Sequence, residues 1–334
     1  MISIKDIANQ VGTSPSTVSR VVNGKKHVNA EKREQILKVI AETGYVPDKA
    51  ARSMVLKRSF TVGIVLPDTF NMFQRQLFSI IERHLDSFGY HTLFFFVKFD
   101  GSSEEEFLTR LKSEKLDGII LLQEIRGENF YDYVNRVKLP VVAATFNRDK
   151  LASIHVNEEQ AARDGVTHLI NLGHRKINMI TGSGFSFGLQ RAKGFVHAME
   201  AAGIEQAMDR VIFVQYYTAE FGMYGMRELL LRSRDFTALF AATDELALGA
   251  MRILKDEGIL VPEDVSVVGF DDIDISSYII PRLTTIRQPL DKIGEQTALI
   301  LHKSITGVSV SGVDMPLPYK LIIRESTAPP KKSS

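Results

Sequence analysis

The sequence contains no cysteine among its 334 residues. Disulfides, thiolate nucleophiles and cysteine-ligated metal sites are therefore excluded, and stability has to come from packing. The longest apolar runs, such as residues 93–97, have the length of a strand and are far too short to cross a bilayer. The first residues also lack the basic segment and apolar stretch of a secretory signal, so we expect a cytoplasmic protein without a membrane partner.

Motifs of catalysis and metal binding are also scarce. The eight histidines show no HExxH or other metal-ligand spacing, and no Gly-x-Ser-x-Gly elbow accompanies an acid and a base. The glycines of 182–188 do not have the GxGxxG spacing, and no Gly-Lys-Ser/Thr follows, which favours a cleft loop over a phosphate site. We therefore expect no metal, no cofactor and no catalysis, with an enzyme as the weaker alternative.

Charge is distributed unevenly along the chain. Residues 1–58 hold 11 Lys/Arg against 5 Asp/Glu, whereas the remainder holds 30 against 35. The length exceeds what one hydrophobic core usually organises, so we expect more than one folding unit. A compact basic segment on a mildly acidic body indicates a polyanion-binding unit attached to a domain with a different task.

Three short helices are predicted in the basic segment from apolar spacing and capping residues. The first ends near Gly12, and its apolar stripe consists of Ile4, Ile7, Ala8 and Val11. The second begins at Pro15 after the N-cap Ser14, and its buried face consists of Val18, Val21 and Val22. The third follows the N-cap Asn29 and ends at Gly44, and its apolar residues are Ile36, Leu37, Val39 and Ile40. The three helices would share one small core.

A tight turn joins the first two helices, and the second helix starts with small hydroxyl side chains. This arrangement suits a recognition helix in the major groove of double-stranded DNA. Hydroxyls and backbone N–H groups there fit phosphate oxygens and base edges, and Arg20 can donate two hydrogen bonds to guanine. The residues predicted to contact DNA are Thr13, Ser14, Pro15, Ser16, Thr17, Ser19, Arg20 and Asn23. Without further context, the same cluster would be a solvated helical face.

Beyond residue 60, strand-like apolar runs alternate with amphipathic helices, which predicts a doubly wound α/β fold in two similar lobes. The predicted strands are 61–66, 93–97, 118–122, 141–144, 177–181, 211–214, 238–242 and 265–269. The chain is expected to cross between the lobes near 153–158 and 287–290. The carboxyl ends of the strands would then face a small molecule in the cleft.

These segments together resemble the LacI/GalR family of transcription regulators. The matching segments are Ile4-Lys5-Asp6-Ile7-Ala8, Gly12-Thr13-Ser14 and residues 17–24, 172–175, 191–195, 243–250, 261–272 and 322–327. The similarity covers essentially the whole chain apart from a loose tail at 329–334. It implies an all-α helix-turn-helix headpiece at 1–46, a hinge helix and linker at 47–59, and a two-lobed periplasmic-binding-protein-like domain at 60–330. The N-lobe would hold about 60–157 and 290–320, and the C-lobe about 158–288 and 321–330.

The resemblance also implies contacts with the minor groove. Residues 44–54 are similar to the family's hinge helix, in which Tyr45, Ala51 and Met54 would contact DNA. Met54 stands where the family usually has Leu, so the apolar wedge between base pairs would be longer and more flexible. A helix this short is marginal alone, and we expect it to order on operator DNA together with its dimer mate.

For the body, the resemblance implies an effector pocket. The effector-binding residues would be Asn71, Phe73, Thr145, Arg191, Tyr217, Thr243, Asp271 and Gln288. Arg191 and Asp271 would face each other across the cleft and hold vicinal hydroxyls, although an Arg and an Asp can equally form a structural ion pair. Three positions depart from the common family pattern: Thr145 for Asp, Thr243 for Asn and Gln74 for an aromatic residue. A neutral saccharide is the leading ligand, ahead of a phosphorylated metabolite, a purine-like base or a protein co-effector.

The joined parts predict a homodimeric, sequence-specific repressor that binds a pseudo-palindromic operator and is controlled by a small molecule between its lobes. Induction and corepression use the same architecture, and the sequence leaves both open, together with activation. A solute-binding module is the remote alternative, because the body alone resembles a periplasmic binding protein. Such a module would have no use for the basic helix-turn-helix segment.

Overall fold

The computed structural model describes residues 2–22, 28–45, 58–98, 101–183, 186–310 and 312–331. Its residue contacts divide the chain into two compact units, Met1–Ser59 and Phe60–Ser334. Most of the predicted hinge and linker lies outside the described residues. Each unit has its own hydrophobic core and is described separately.

The first unit contains three helices, α1 Ile4–Val11, α2 Pro15–Val22 and α3 Ala30–Thr43. Ser3 and Asp6 form a capping box at the start of α1, and Gly12 follows that helix with a φ of 62°. The Ser14 hydroxyl oxygen accepts the Thr17 N–H at 3.2 Å, so Ser14 caps α2 as the sequence predicts. Local sequence signals therefore set both ends of α1 and the start of α2.

The core of this unit is small and comes from all three helices. Asn29 caps α3, and Gly44 follows it with a φ of 63°. The fully buried residues are Ile7, Ala8, Val18, Val21 and Ile36. Leu37 was expected on the buried face but is 47% exposed, because it lies about 100° around the helix from Ile36.

The second unit is built on two six-stranded sheets. The described strands are β1 Thr61–Pro67, β2 His91–Val97, β3 Gly118–Leu121, β4 Val141–Ala144, β5 Ala152–His155, β6 Ile177–Gly182, β7 Val211–Val214, β8 Ala238–Ala241, β9 Ser266–Asp271, β10 Thr284–Arg287, β11 Asp314–Pro316 and β12 Lys320–Ile322. The N-lobe sheet has the order β11-β5-β4-β3-β1-β2, and the C-lobe sheet has the order β12-β10-β9-β8-β6-β7. Only the β10–β12 pair is antiparallel among these ladders. The doubly wound two-lobed fold is confirmed.

Helices cover both faces of each sheet, which explains why central strands are buried along their whole length. The described helices are α4 Met72–Ser87, α5 Glu104–Ser113, α6 Glu128–Val137, α7 Glu158–Asn171, α8 Ser186–Ala201, α9 Ala219–Arg232, α10 Asp244–Asp256 and α11 Leu290–Ile305. Short 3₁₀ turns occur at Ala207–Arg210 and Asp274–Ser277. Within the described ranges, none of the helices has the length and apolarity that a membrane span requires.

The crossings between the lobes contain strands that the sequence did not reveal. β5 occupies the first half of the first predicted crossing, and β10 reaches the start of the second. β11 and β12 were also missed; they have three residues each and lie at or next to sheet edges. Such short strands carry too few residues for an apolar alternation to stand out. The chain crosses after β5, after β10 and between β11 and β12.

A buried carboxyl group, Asp244, ties the C-lobe together at the start of α10. Its oxygens accept hydrogen bonds from the Ile273 N–H at 3.0 Å, the Ser276 hydroxyl at 2.6 Å and the Thr285 hydroxyl at 2.5 Å. Burial raises the pKa of Asp244 to about 7, and the three hydrogen bonds only partly offset this effect. The group therefore joins α10, β10 and the loop after β9.

This pKa predicts a pH-dependent stability. The folded protein retains the Asp244 proton up to about pH 7, whereas an exposed Asp loses it near pH 4, so unfolding free energy should fall as pH rises between these values. Relative to Asp244→Asn, the wild type should lose about 1 kcal/mol or more between about pH 4.5 and pH 8 in urea titrations. Asp256→Asn, at the exposed end of α10, is the control. A constant difference between wild type and Asp244→Asn would contradict the assignment.

Candidate functional site

The exposed face of α2 carries most of the predicted DNA contacts. Ser14, Pro15, Ser16 and Arg20 are exposed, and Arg20 makes no hydrogen bond or ion pair with any residue that the structure describes. The Ser14 hydroxyl lies 2.8 Å from that of Ser16 and 2.9 Å from that of Thr17. This cluster of hydroxyls at a helix N-terminus, one turn from an exposed guanidinium, has the chemistry needed for phosphate and base-edge contacts.

The other predicted DNA contacts are less exposed or lie outside the description. Thr13 and Ser19 are partly buried. Tyr45 packs against the core of the first unit, so only part of its ring remains accessible. Asn23, Ala51 and Met54 lie outside the described residues, and the predicted hinge helix with them.

A pocket that is partly open to solvent lies between the two lobes of the body at the carboxyl ends of their strands. The position agrees with the rule that open α/β sheets bind ligands at this edge. The predicted effector residues that line it are Asn71, Phe73, Thr145, Arg191, Thr243, Asp271 and Gln288. The structure therefore brings together residues that are up to 217 positions apart in the sequence.

Tyr217 is the predicted effector residue that the pocket lining does not include. Its hydroxyl donates to the Gly182 carbonyl at 2.9 Å, and its ring centroid lies 4.7 Å from that of Phe187. Phe187 does line the pocket, so it supplies the aromatic surface that was expected from Tyr217. Tyr217 instead packs against Phe187.

Arg191 is buried and forms the centre of the site. Its Nε donates to a Glu158 carboxylate oxygen at 2.7 Å, and its Nη1 donates to the Ala242 carbonyl and lies 3.6 Å from an Asp271 carboxylate oxygen. Its guanidinium carbon lies 3.5 Å from the centre of the Phe270 ring, a cation–π contact. The expectation that Arg191 and Asp271 face each other across the cleft is wrong, because α8 and β9 both belong to the C-lobe.

Two buried acids share this one guanidinium. Burial raises the pKa of Glu158 and that of Asp271, and the positive charge of Arg191 opposes the rise in both cases. Glu124 adds a third carboxyl to the pocket lining, and it lies 3.8 Å from Arg148. Acidic groups thus outnumber basic groups around the pocket.

Helix caps orient several of the polar side chains. Asn71 caps α4 by accepting the Gln74 N–H at 2.9 Å, while Gln74 accepts the Asn71 N–H at 3.1 Å. Thr243 caps α10 by accepting the Leu246 N–H at 3.2 Å. These bonds leave the Asn71 amide N–H groups and the Thr243 hydroxyl proton as donors for a ligand.

Two buried amide oxygens in the pocket have no hydrogen-bond partner within the described protein. These are Oε1 of Gln123 and Oε1 of Gln288. The amide nitrogen of Gln288 donates to Asp271 at 2.8 Å, and that of Gln123 donates to the Lys98 carbonyl at 3.4 Å. Because an unpaired buried acceptor is costly, both oxygens favour a ligand that donates hydrogen bonds.

Sequence reasoning missed several lining residues, namely Gln123, Glu124, Phe146, Glu158, Ser186 and Phe187. Gln123 could have been found, because it follows the buried run of β3 as Thr145 follows β4. Thr145 and Asp271 adopt positive φ values of 76° and 116°, which are unusual for residues with a Cβ. Such strain clusters at functional sites.

A second cavity adjoins the first and shares with it Thr145, Phe146, Glu158, Ser186 and Phe187. His155 and Asp314 line it, and their side chains lie 2.7 Å apart beside two of the lobe crossings. The space between the lobes therefore extends beyond the pocket around Arg191.

Both units of the chain match known protein families. Residues 3–48 match the family described as bacterial regulatory proteins, lacI family, and residues 166–327 match the periplasmic binding protein-like domain. Catabolite control protein A of Priestia megaterium is 31% identical over 330 residues, which cover 98% of this chain and 99% of that protein. The chain belongs to the LacI family of bacterial regulatory proteins.

Solved structures of LacI-family regulators have the same fold. The lac repressor dimer bound to operator and the anti-inducer ONPF aligns with a TM-score of 0.81 and 27% identity, over 98% of this chain and 99% of that chain. The complex of the regulator CelR with cellobiose aligns with a TM-score of 0.74 and 29% identity, over 98% and 100%. The helix-turn-helix unit and the two-lobed body therefore both belong to one LacI-family chain.

Removing the central cation should destabilise the body strongly. Arg191→Ala would leave Glu158 and Asp271 buried without their partner, which typically lowers the free energy of unfolding by about 3–5 kcal/mol. Urea titration followed by circular dichroism measures this loss. Lys193→Ala, which removes an exposed cation from the same helix, should change stability by less than about 0.5 kcal/mol. A similarly small loss for Arg191→Ala would contradict the central role of the guanidinium.

Proposed function

We propose that this LacI-family protein represses transcription and that a neutral saccharide in the pocket between its lobes controls its affinity for operator DNA. The observation that carries the ligand class is the pair of unpartnered amide oxygens, Gln123 Oε1 and Gln288 Oε1, in a pocket where carboxyl groups outnumber basic groups. These groups accept hydrogen bonds, and a polyhydroxylated ligand supplies donors. The related CelR–cellobiose complex supports the same class.

The charge of the pocket disfavours an anionic ligand. Arg191 is the basic residue of the lining, and its Nε and Nη1 are already engaged by Glu158, Asp271 and Ala242. A phosphate group would therefore meet three carboxyl groups, those of Glu158, Asp271 and Glu124, without a free cation to neutralise it. This argument favours a neutral sugar over a phosphorylated metabolite.

Aromatic rings complete the proposed sugar site. Phe73 of the N-lobe and Phe187 of the C-lobe both line the pocket. Sugar rings have apolar C–H faces that pack against aromatic rings, while their hydroxyls point to polar groups at the edge. The protein would act by binding alone, without a cofactor or a chemical step, as its curated relatives are transcription regulators.

The DNA-binding part of the proposal rests on α2. We propose that two copies of the chain present this helix to the two halves of a pseudo-palindromic operator, as the operator-bound lac repressor dimer supports. Selection of binding sites from random duplex DNA at near-physiological salt tests this proposal. An inverted repeat is expected, and enrichment of no sequence with or without a carbohydrate panel would overturn it.

Arg20→Ala should weaken binding to the selected operator at least about tenfold, because it removes a base-edge or phosphate contact from α2. Fluorescence anisotropy at fixed salt measures the dissociation constant. Lys38→Ala also removes one exposed cation from the same unit, at α3, and should have a smaller effect. Equal operator affinity for wild type and Arg20→Ala would show that α2 is not the recognition helix.

Gln123→Leu should weaken ligand binding and leave the stability of the protein almost unchanged. The change removes a buried oxygen that has no partner within the described protein, together with one long hydrogen bond to the Lys98 carbonyl. The free energy of unfolding should therefore shift by less than about 1 kcal/mol, while affinity for the bound sugar falls about tenfold. Calorimetric titration with a panel that includes cellobiose and D-ribose measures the affinity. Gln215→Leu, at an exposed position of the C-lobe, should bind like wild type. If no neutral sugar of the panel gives a heat of binding to the wild type, the ligand is not a neutral saccharide.

A further inference from the structure

Beside the pocket, the two lobes of the body contact each other directly. Leu248, Ile273 and Ile275 belong to the C-lobe, yet they pack in the hydrophobic cluster of the N-lobe with residues such as Phe70 and Phe73. Ile273 is only 1% exposed. This apolar contact comes from the loop after β9 and from the first turns of α10.

One hydrogen bond crosses the same boundary. The backbone N–H of Met72, in the N-lobe, donates to a carboxylate oxygen of Glu245, in the C-lobe, at 2.6 Å. Met72 is the first residue of α4, where an N–H has no acceptor within its own helix. The N-cap Asn71 uses its side chain on the Gln74 N–H instead. Glu245 therefore satisfies a donor that the N-lobe itself does not satisfy.

Two helix N-termini and one basic residue act on the Glu245 carboxyl group. Glu245 lies in the first turn of its own helix α10 and contacts the first turn of α4, so the positive ends of two helix dipoles converge on it. Burial raises the pKa of Glu245 above its usual value, and the hydrogen bond from the Met72 N–H and the positive charge of Arg75 offset only part of this rise. One side chain thus serves two helices that belong to different lobes.

The helices it connects also carry the pocket. The start of α4 supplies Asn71, Phe73 and Gln74 to the lining, and the residue before α10 supplies Thr243. Glu245 itself is not among the lining residues. Its bond therefore fixes the separation of the two pocket walls without contacting what lies between them.

We propose that Glu245 is a positioning residue that holds the two lobes together beside the pocket and so determines how strongly pocket occupancy affects operator affinity. The effect on operator affinity rests on the proposed function. Removing the Glu245 carboxylate, and with it the hydrogen bond from the Met72 N–H, should lower the ratio of contacting to separated lobes roughly tenfold. A ligand would then have to draw the lobes together itself, and its affinity and its effect on operator binding would both fall.

Hydrogen exchange on the full-length protein tests, without any ligand, whether Glu245 holds the two lobes together. Glu245→Ala should accelerate exchange roughly tenfold in the first turn of α4 and also in residues 273–278. This second segment bonds to Asp244 and not to Glu245 within the described residues, and its Ile273 and Ile275 pack across the lobe boundary. Glu245→Gln keeps an acceptor oxygen and should restore part of the protection. Glu228→Ala, which breaks an exposed ion pair on α9, is the control and should leave both segments unchanged.

Acceleration limited to the α4 turn would mean that Glu245 only caps that helix, and unchanged exchange in both segments would mean that the bond contributes nothing. Either result would overturn the proposal. The second measurement is operator affinity with and without cellobiose or D-ribose. If the wild type responds to a sugar, the ratio of the two affinities should shrink in Glu245→Ala, and an unchanged ratio would contradict the coupling role. If no sugar acts on the wild type, the proposed ligand class fails, while the exchange data still decide the role of Glu245.

Discussion

A buried guanidinium cannot be left unpaired, and this constraint organises the pocket of the body. Arg191 is 3% exposed, so its charge has to be balanced and its N–H groups have to be accepted within the protein. The acceptors come from the start of α7, the residue after β8 and the end of β9, through Glu158, Ala242 and Asp271. One side chain thereby fixes three elements of the C-lobe relative to each other at the edge where the ligand would bind.

The same constraint defines what the pocket can accept. The Nε and Nη1 groups of Arg191 are engaged by its partners, and both acids that neutralise it have raised pKa values because they too are buried. What remains towards the pocket is an excess of acceptors, including the free oxygens of Gln123 and Gln288. A site built in this way discriminates by hydrogen-bond donors and shape rather than by charge, because an unmatched buried acceptor is costly.

The sequence predicted the parts of the molecule that depend on local signals. Helix caps such as Ser14 were predicted from residues one turn apart, and the interiors of the long buried strands were predicted from runs of neighbouring apolar residues. Long-range pairing was not visible: Glu158 looks like an ordinary acid at a helix start until Arg191, 33 positions later, is placed beside it. Tyr217 was predicted as an aromatic residue of the site, but only the fold shows that Phe187, which packs against it, lines the pocket instead.

Three consecutive residues at the start of α10 connect pocket, loop and opposite lobe. Thr243 lines the pocket, Asp244 accepts the Ile273 N–H in the loop that packs across the boundary, and Glu245 accepts the Met72 N–H of the N-lobe. Because neighbouring residues at the start of one helix cannot move independently, a ligand that displaces the first would strain the contacts of the other two. The free energy of one hydrogen bond to a charged group is comparable to the coupling free energies of about 1–3 kcal/mol that are typical of allosteric proteins. The start of α10 is therefore sufficient to relate pocket occupancy to the arrangement of the lobes.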